Sequence, residues 1–369
     1  MSDRRAVELL IKEANRFLGE ARYSEMLRAA KGAGEAARAV LDLGLEIRAV
    51  RLEADAYRML GDDATSLQRL TWILTVAADP LRREELVRSD VTRDIARAHM
   101  DWVESARFLP EIPASELFRV VEAGEAYLHA VGKPGWRAGL LSARADLLAT
   151  LGRSEEAVGP AEEAVALKLR NPRAPGYTLT AYRWSLGDKL RRLGRIGEAE
   201  RQYRDVLADS GASPYARKSA HVGLGRCAIR RGDSGAARLE AEAAVRLAEG
   251  MGDDALGPAL EVLIAACRAA ADVAAARLAA ERYVKTARRA GNDYGLYFAL
   301  NGAADVALDA GRAGDACALL DEAAPLAELL DRQSGLNEKR AKIARQRERL
   351  AQIEAQAMSG RRAVEVLFA

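Results

Sequence analysis

Small and aliphatic residues recur three and four positions apart along most of the chain, the spacing of one helix face. Each stretch breaks at a glycine and then resumes, so each reads as two helices joined by a short turn. The stretch beginning at Trp184 can be laid over the one beginning at His221. Leu186, Gly187, Gly194 and Ala199 in the first correspond to Leu224, Gly225, Gly232 and Ala237 in the second. The turn glycine and the following alanine recur as Gly152 with Ala157 and as Gly311 with Ala316, and Ala271 with Ala276 takes those places between them. Upstream, Gly61 closes a helix and Tyr23 to Met26 opens another. Turns are therefore expected near residues 21, 61, 152, 194, 232, 271 and 311. Segments 91–108 and 115–132 supply one more pair of helices inside the divergent stretch 76–136. The pattern predicts about eight helix pairs with a period of roughly 40 residues.

A glycine just past a helix end takes the left-handed conformation at little cost. Gly187 and Gly225 fall inside helices instead, where glycine costs about 1 kcal/mol, and are expected where two helix backbones approach closely. Ala157, Ala199, Ala237, Ala276 and Ala316 should face the same crowded seam. Ser154 with Glu155 and Glu156 reads as an N-cap followed by first-turn carboxylates. A lone pair cannot hide its apolar face, so such units stack on their neighbours, and the end unit needs a polar cap. The expected fold is all-α: a continuous right-handed α-solenoid over 1–336, with a charged capping helix and tail over 337–369.

Composition narrows the alternatives. Apolar types make up 49% of the 369 residues and aromatics only 5%. Nine lysines leave 47 arginines among the 56 basic residues. So much Ala, Leu, Glu and Arg with few β-branched residues excludes a sandwich, a barrel or a disordered chain, and leaves a doubly wound fold without strands. The bias of Arg over Lys suggests a genome of high GC content. The formal charge is +2, so no strong global field drives nucleic-acid or membrane binding. Glu8 and Lys12 interrupt any signal-peptide core. Cys227, Cys267 and Cys317 are too widely spaced for a disulfide framework or a zinc knuckle and are expected to be buried thiols of a cytoplasmic protein.

The motifs that carry chemistry are weak. Gly223 to Ala228, and Gly32, Gly34 and Ala37, match a dinucleotide fingerprint, but neither follows an expected strand. His99, His129 and His221 are the only histidines, and none lies within helical reach of another. Acidic pairs such as Glu155-Glu156 and Asp253-Asp254 sit at helix starts. No cofactor, metal site or catalytic residue is expected, and the chain is read as not an enzyme. The basic residues from Lys339 to Arg349 are diluted by Glu338, Glu348 and Glu354 without interleaved aromatics, so nucleic acid is an unlikely partner. Trp72, Trp102 and Trp136 read as core or seam, and Trp184 as a surface anchor. The apolar run Val364 to Phe368 stays open between a docking peptide, a strand-like tail and a segment that folds back.

The unit with Leu186, Gly187, Gly194, Ala199 and Tyr203 resembles a tetratricopeptide repeat. Gly187 and Ala199 match the eighth and twentieth positions of that pattern, and Tyr203 takes its aromatic position. Val206 departs from the usual alanine, and the usual closing proline is displaced to Pro214. The longer period resembles the repeats of bacterial signal-transduction regulators. The resemblance implies that the first helix of each pair lines a concave groove for a protein or peptide. Its groove positions fall on Arg48, Arg51, Asp55 and Arg58 in one unit. In later units they fall on Trp184, Asp188, Arg191 and Arg192, then Arg226 and Arg230, then Glu261 and Arg268, and finally Asn301, Asp305 and Asp309. The residues at the family's carboxylate-clamp positions, Ser142, Asp146, Ser185, Ser219 and Gly223, do not form that clamp. The implied role is a non-catalytic scaffold or adaptor, with a regulatory peptide- or small-ligand-sensing module as the alternative. Partner identity and oligomeric state are left open.

Overall fold

The structure is a computed structural model that describes residues 2–20, 22–107, 109, 111–173, 178–334 and 337–368. Among these residues there are eighteen α-helices and no strand. They form eight consecutive pairs: α1 (Ser2–Gly19) with α2 (Tyr23–Ala39), α3 (Leu43–Met59) with α4 (Asp63–Ala78), α6 (Thr92–Ala106) with α7 (Ala114–Ala130), α8 (Ala138–Thr150) with α9 (Ser154–Arg170), α10 (Leu179–Arg192) with α11 (Ile196–Ala208), α12 (Pro214–Arg230) with α13 (Ser234–Ala248), α14 (Asp253–Ala269) with α15 (Val273–Ala290), and α16 (Asp293–Asp309) with α17 (Ala313–Ser334). The short α5 (Arg83–Arg88) stands between the second and third pairs, and α18 (Glu338–Phe368) closes the chain. The helices cluster into two compact units, Met1–Tyr182 and Arg183–Ala369, divided within α10.

The turns within pairs fall where glycine was expected. Gly61, Gly152, Gly194, Gly232 and Gly311 have φ of 83°, 75°, 79°, 76° and 66°. The turn near residue 21 lies outside the described residues. At the corresponding place between α14 and α15 stands Ala271, held at φ 56°. An L side chain in this region costs roughly 1–2 kcal/mol. Ala271→Gly is therefore expected to stabilise the protein by about 1 kcal/mol, read as a Tm rise of about 2–4 °C. A lower Tm would show that the turn is unstrained. The helices after these turns often begin with an aspartate cap: Asp62, Asp233 and Asp272 accept from the backbone N–H of Thr65, Ala236 and Ala275. Ser154 does not cap α9; Arg153 precedes the helix without a side-chain cap bond and pairs with Glu156 instead.

Ala157, Ala199, Ala237, Ala276 and Ala316 are all buried, as a crowded seam requires. The interior glycines make room for side chains rather than for a second backbone. A Cβ on Gly187 would lie 2.8 Å from the Tyr203 ring, and one on Gly223 would lie 2.4 Å from it. Gly225 instead accommodates Val262 of α14, at 2.7 Å. Tyr203 of α11 is thus wedged between glycines of α10 and α12.

Each unit has its own core. In the second, Leu260, Ile264, Tyr283, Tyr297, Leu300 and Leu320 join one cluster that α18 completes with Ile343 and Leu350. Asp331 of α17 fixes the start of α18 by accepting the backbone N–H of Lys339 at 3.1 Å and of Arg340 at 2.9 Å. This gives the charged capping helix a defined seat, and its backbone runs helically to Phe368; the side chains of Val364 to Phe368 lie outside the described residues. In the first unit, Ile73, Leu86, Ile95, Val121 and Leu140 share a cluster. Here the six-residue α5 inserts Leu86 into the core from a segment without helical periodicity. Cys227 and Cys267 are buried, but Cys317 is exposed, because it lies on the outer side of α17 beside Asp321.

Candidate functional site

The groove positions expected on α3 are held in ion pairs. Arg51 bridges Asp94 of α6 at 2.8 Å and Asp55 at 2.7 Å, and Arg58 reaches Asp55 at 3.4 Å. Arg48 donates to the backbone carbonyls of Ser89 at 3.0 Å and Asp90 at 3.1 Å. Arg48, Arg51, Arg93, Arg97 and Asp94 line a cavity of about 370 Å³. The structure thus brings part of this set together, tied to the α5–α6 connection.

The second unit holds the more selective arrangement. A cavity of about 440 Å³ opens across the first helices α10, α12, α14 and α16, with the end of α15 as one wall. Three of its aromatics stand partly in solvent: Trp184 (41% exposed), Tyr215 (64%) and Tyr294 (57%). Tyr283 and Phe298 line it more deeply. Gly257 lets the Tyr283 ring lie against α14, since a Cβ there would be 3.1 Å from it, and burial pushes the Tyr283 phenol above its usual range. Phe298 packs against Tyr294, with ring centroids 4.7 Å apart. Asn292 caps α16 by accepting the N–H of Gly295, which presents Tyr294 at the rim.

Charged groups around this cavity are largely balanced. Arg226 donates to Glu261 at 3.0 Å, Arg192 to Asp188 at 2.7 Å, and Arg289 to Asp253 at 3.1 Å. Burial raises the Asp188 carboxyl, but Arg191 and Arg192 outweigh it and hold the group below its usual range. Lys218 is different. It is 3% exposed, lines the cavity and lies 4.2 Å from the Tyr215 ring centroid. It makes no ion pair among the described residues, and burial lowers its pKa.

Of the residues expected in the groove, Trp184, Arg192, Arg226 and Glu261 line this cavity. Asp188 and Arg191 support it by pairing at 2.5 Å, and Arg230 is exposed outside it. The last set differs from expectation. Asn301 is fully buried and Asp305 is covered, because α18 lies over them: Gln346 donates to the Asn301 carbonyl at 3.2 Å and to Asp305 at 2.8 Å. Arg268 is engaged by Asp309 at 2.5 Å and Asp305 at 3.4 Å. Tyr215, Lys218, Tyr283, Tyr294 and Phe298 were not anticipated. With Gly225 at the pattern's eighth position, the pattern begins at Lys218, whereas α12 begins at Pro214. This additional helical turn carries Tyr215, and its signal was the long period.

A larger depression of about 930 Å³ lies between the second helices α15 and α17. Its floor is mostly alanine and valine, and Arg277, Arg288, Arg289 and Arg312 at its edge are each paired with a carboxylate. Among the described residues, no group of three or more His, Cys, Asp or Glu is placed to hold a metal ion. No described helix is long and apolar enough to cross a membrane.

No family model and no curated protein sequence matches the chain. Solved structures do. The apo form of the quorum sensor NprR from B. thuringiensis is similar over 92% of this chain and 98% of its own, at 14% identity and a TM-score of 0.58. A Rap protein complexed with Competence and Sporulation Factor is similar over 94% and 99%, at 14% identity and a TM-score of 0.55. A tetratricopeptide repeat protein from Parabacteroides merdae is similar over 79% and 98%, at 15% identity and a TM-score of 0.50. The fold is therefore that of the tetratricopeptide-repeat solenoids.

Proposed function

We propose that this chain is a non-catalytic recognition protein that captures a short peptide segment in the aromatic cavity of its second unit. The observation that carries this reading is the convergence of Trp184, Tyr215 and Tyr294 around one concavity while each remains partly in solvent. Rigid aromatics bury large area at low entropic cost and are common anchors of recognition. A cavity of this size suits a few side chains better than a broad protein surface. The neighbours in fold support a sensing role, since one is called a quorum sensor and another was solved with a bound factor. The unpaired cysteines and the Arg-rich composition fit a bacterial cytoplasmic protein.

The test is affinity selection from a degenerate pool of short peptides. Wild-type protein is expected to enrich a consistent motif. A Trp184→Ala/Tyr294→Ala variant should retain at least ~10-fold less, the effect of losing about 1.4 kcal/mol, while staying folded with a cooperative unfolding transition, because both side chains are partly exposed and lie outside the core cluster. Absence of enrichment, or equal retention by the variant, overturns the proposal. A selected peptide should also change the small-angle scattering radius, since each repeat touches only its neighbours; an unchanged radius favours a rigid adaptor.

A further inference from the structure

We propose that Lys218 is the anion-binding element of this cavity and that the captured segment presents a carboxylate to it. The inference rests on the peptide-recognition reading and adds the chemical class of the anchoring group.

An ammonium partly withdrawn from water and without a counter-ion is less stable than a paired one. Lys218 is 3% exposed and has no carboxylate partner among the described residues. Its one described contact of this kind is with the Tyr215 ring, at 4.2 Å, which attracts a cation but does not neutralise it. Each other charge on the cavity wall has an opposite partner: Arg192 has Asp188, which it shares with Arg191, Arg226 has Glu261, and Asp253 has Arg289. Lys218 is thus the lining cation with no carboxylate beside it among the described residues, and it stands next to aromatic side chains. A single carboxylate would balance it, whereas a phosphate dianion would bring a second negative charge toward Asp253 and Glu261. The surrounding Trp184, Tyr294 and Phe298 provide apolar area for the residue that bears or adjoins the carboxylate. A terminal carboxylate and an Asp or Glu side chain share this chemistry.

The experiment uses full-length protein and three degenerate pools of N-acetylated tripeptides. The first has a free C-terminal carboxylate and no acidic side chain. The second is its neutral C-terminal amide. The third is amidated with one position fixed as Asp or Glu. Wild-type protein is expected to retain the first or third pool at least ~10-fold more than the second, a difference of about 1.4 kcal/mol. Preference for the first identifies a chain terminus, and preference for the third identifies a side chain. Lys218→Met should bring retention of the carboxylate pools down to that of the neutral amide pool, the comparison being made within the variant. Its Tm should equal or exceed the wild-type value, because methionine keeps most of the buried stem. Equal retention of all pools by wild-type protein overturns the carboxylate assignment and leaves peptide recognition standing; this comparison depends on no variant. Persistence of the preference in Lys218→Met also overturns the assignment. Retention of none of the pools overturns both readings.

Discussion

A Tyr203→Ala variant is expected to lose about 3–5 kcal/mol of stability, the usual cost of deleting a large buried aromatic ring. Tyr203 is 1% exposed and lies between Gly187 and Gly223, so its removal leaves a void between α10, α11 and α12. The reverse change should also be harmful. Gly223→Ala gains helix propensity, yet its methyl group would meet the ring at 2.4 Å, and overpacking of this kind costs about 1–3 kcal/mol. The two effects should be coupled: Gly223→Ala should be far less costly in a Tyr203→Ala background, with a coupling energy of about 1 kcal/mol or more. Urea denaturation of both single variants and the double variant measures this. Additive costs would show that the glycine does not serve the ring.

The second large effect is expected in acid. His99 is 3% exposed in the first unit, and its Nδ1–H donates to the Ile95 carbonyl at 2.9 Å. Burial lowers its pKa from 6.5 to about 4, against a smaller opposing effect of that hydrogen bond. The unfolded chain therefore binds a proton between about pH 6.5 and 4 that the folded chain does not. Stability from neutral His99 is fully present above the unfolded value and is lost as pH falls toward the folded one. The loss is on the order of 3 kcal/mol. Comparing the pH dependence of unfolding free energy in wild type and His99→Leu isolates it. The variant should be less sensitive between pH 6.5 and 4, and identical slopes would rule out His99 as the acid-sensitive group.

The architecture was largely legible from residue pattern because its turns use a backbone region that glycine occupies cheaply. Gly61, Gly152, Gly194, Gly232 and Gly311 could be read for that reason, and Ala271 through its place in the period. The α5 segment was missed because six residues carry too little periodicity to stand out. The aromatic cavity was half legible. Trp184, Arg226 and Glu261 fall at carried-over groove positions, whereas Tyr215 lies on a helical turn preceding the pattern. Tyr294 and Phe298 meet Tyr283 only through packing of α15 and α16. Asn301 and Asp305 were placed on an open face because nothing local records that a helix more than 30 residues away covers them.

The seat of α18 decides what becomes of the apolar face of the last described hairpin. This helix occupies the side of α16 and α17 where another hairpin would begin, and Gln346 sets its register against Asn301 and Asp305. Sliding it by one turn would strand those polar groups without their donor. Its described solvent side carries Arg345, Arg347 and Glu348, while Arg349 reaches back to Asp309 of α16 at 2.7 Å. The described part of the last helix thus works as a lid on the layer beneath it: Ile343 and Leu350 close the core of the final hairpin from a segment that is mostly charged.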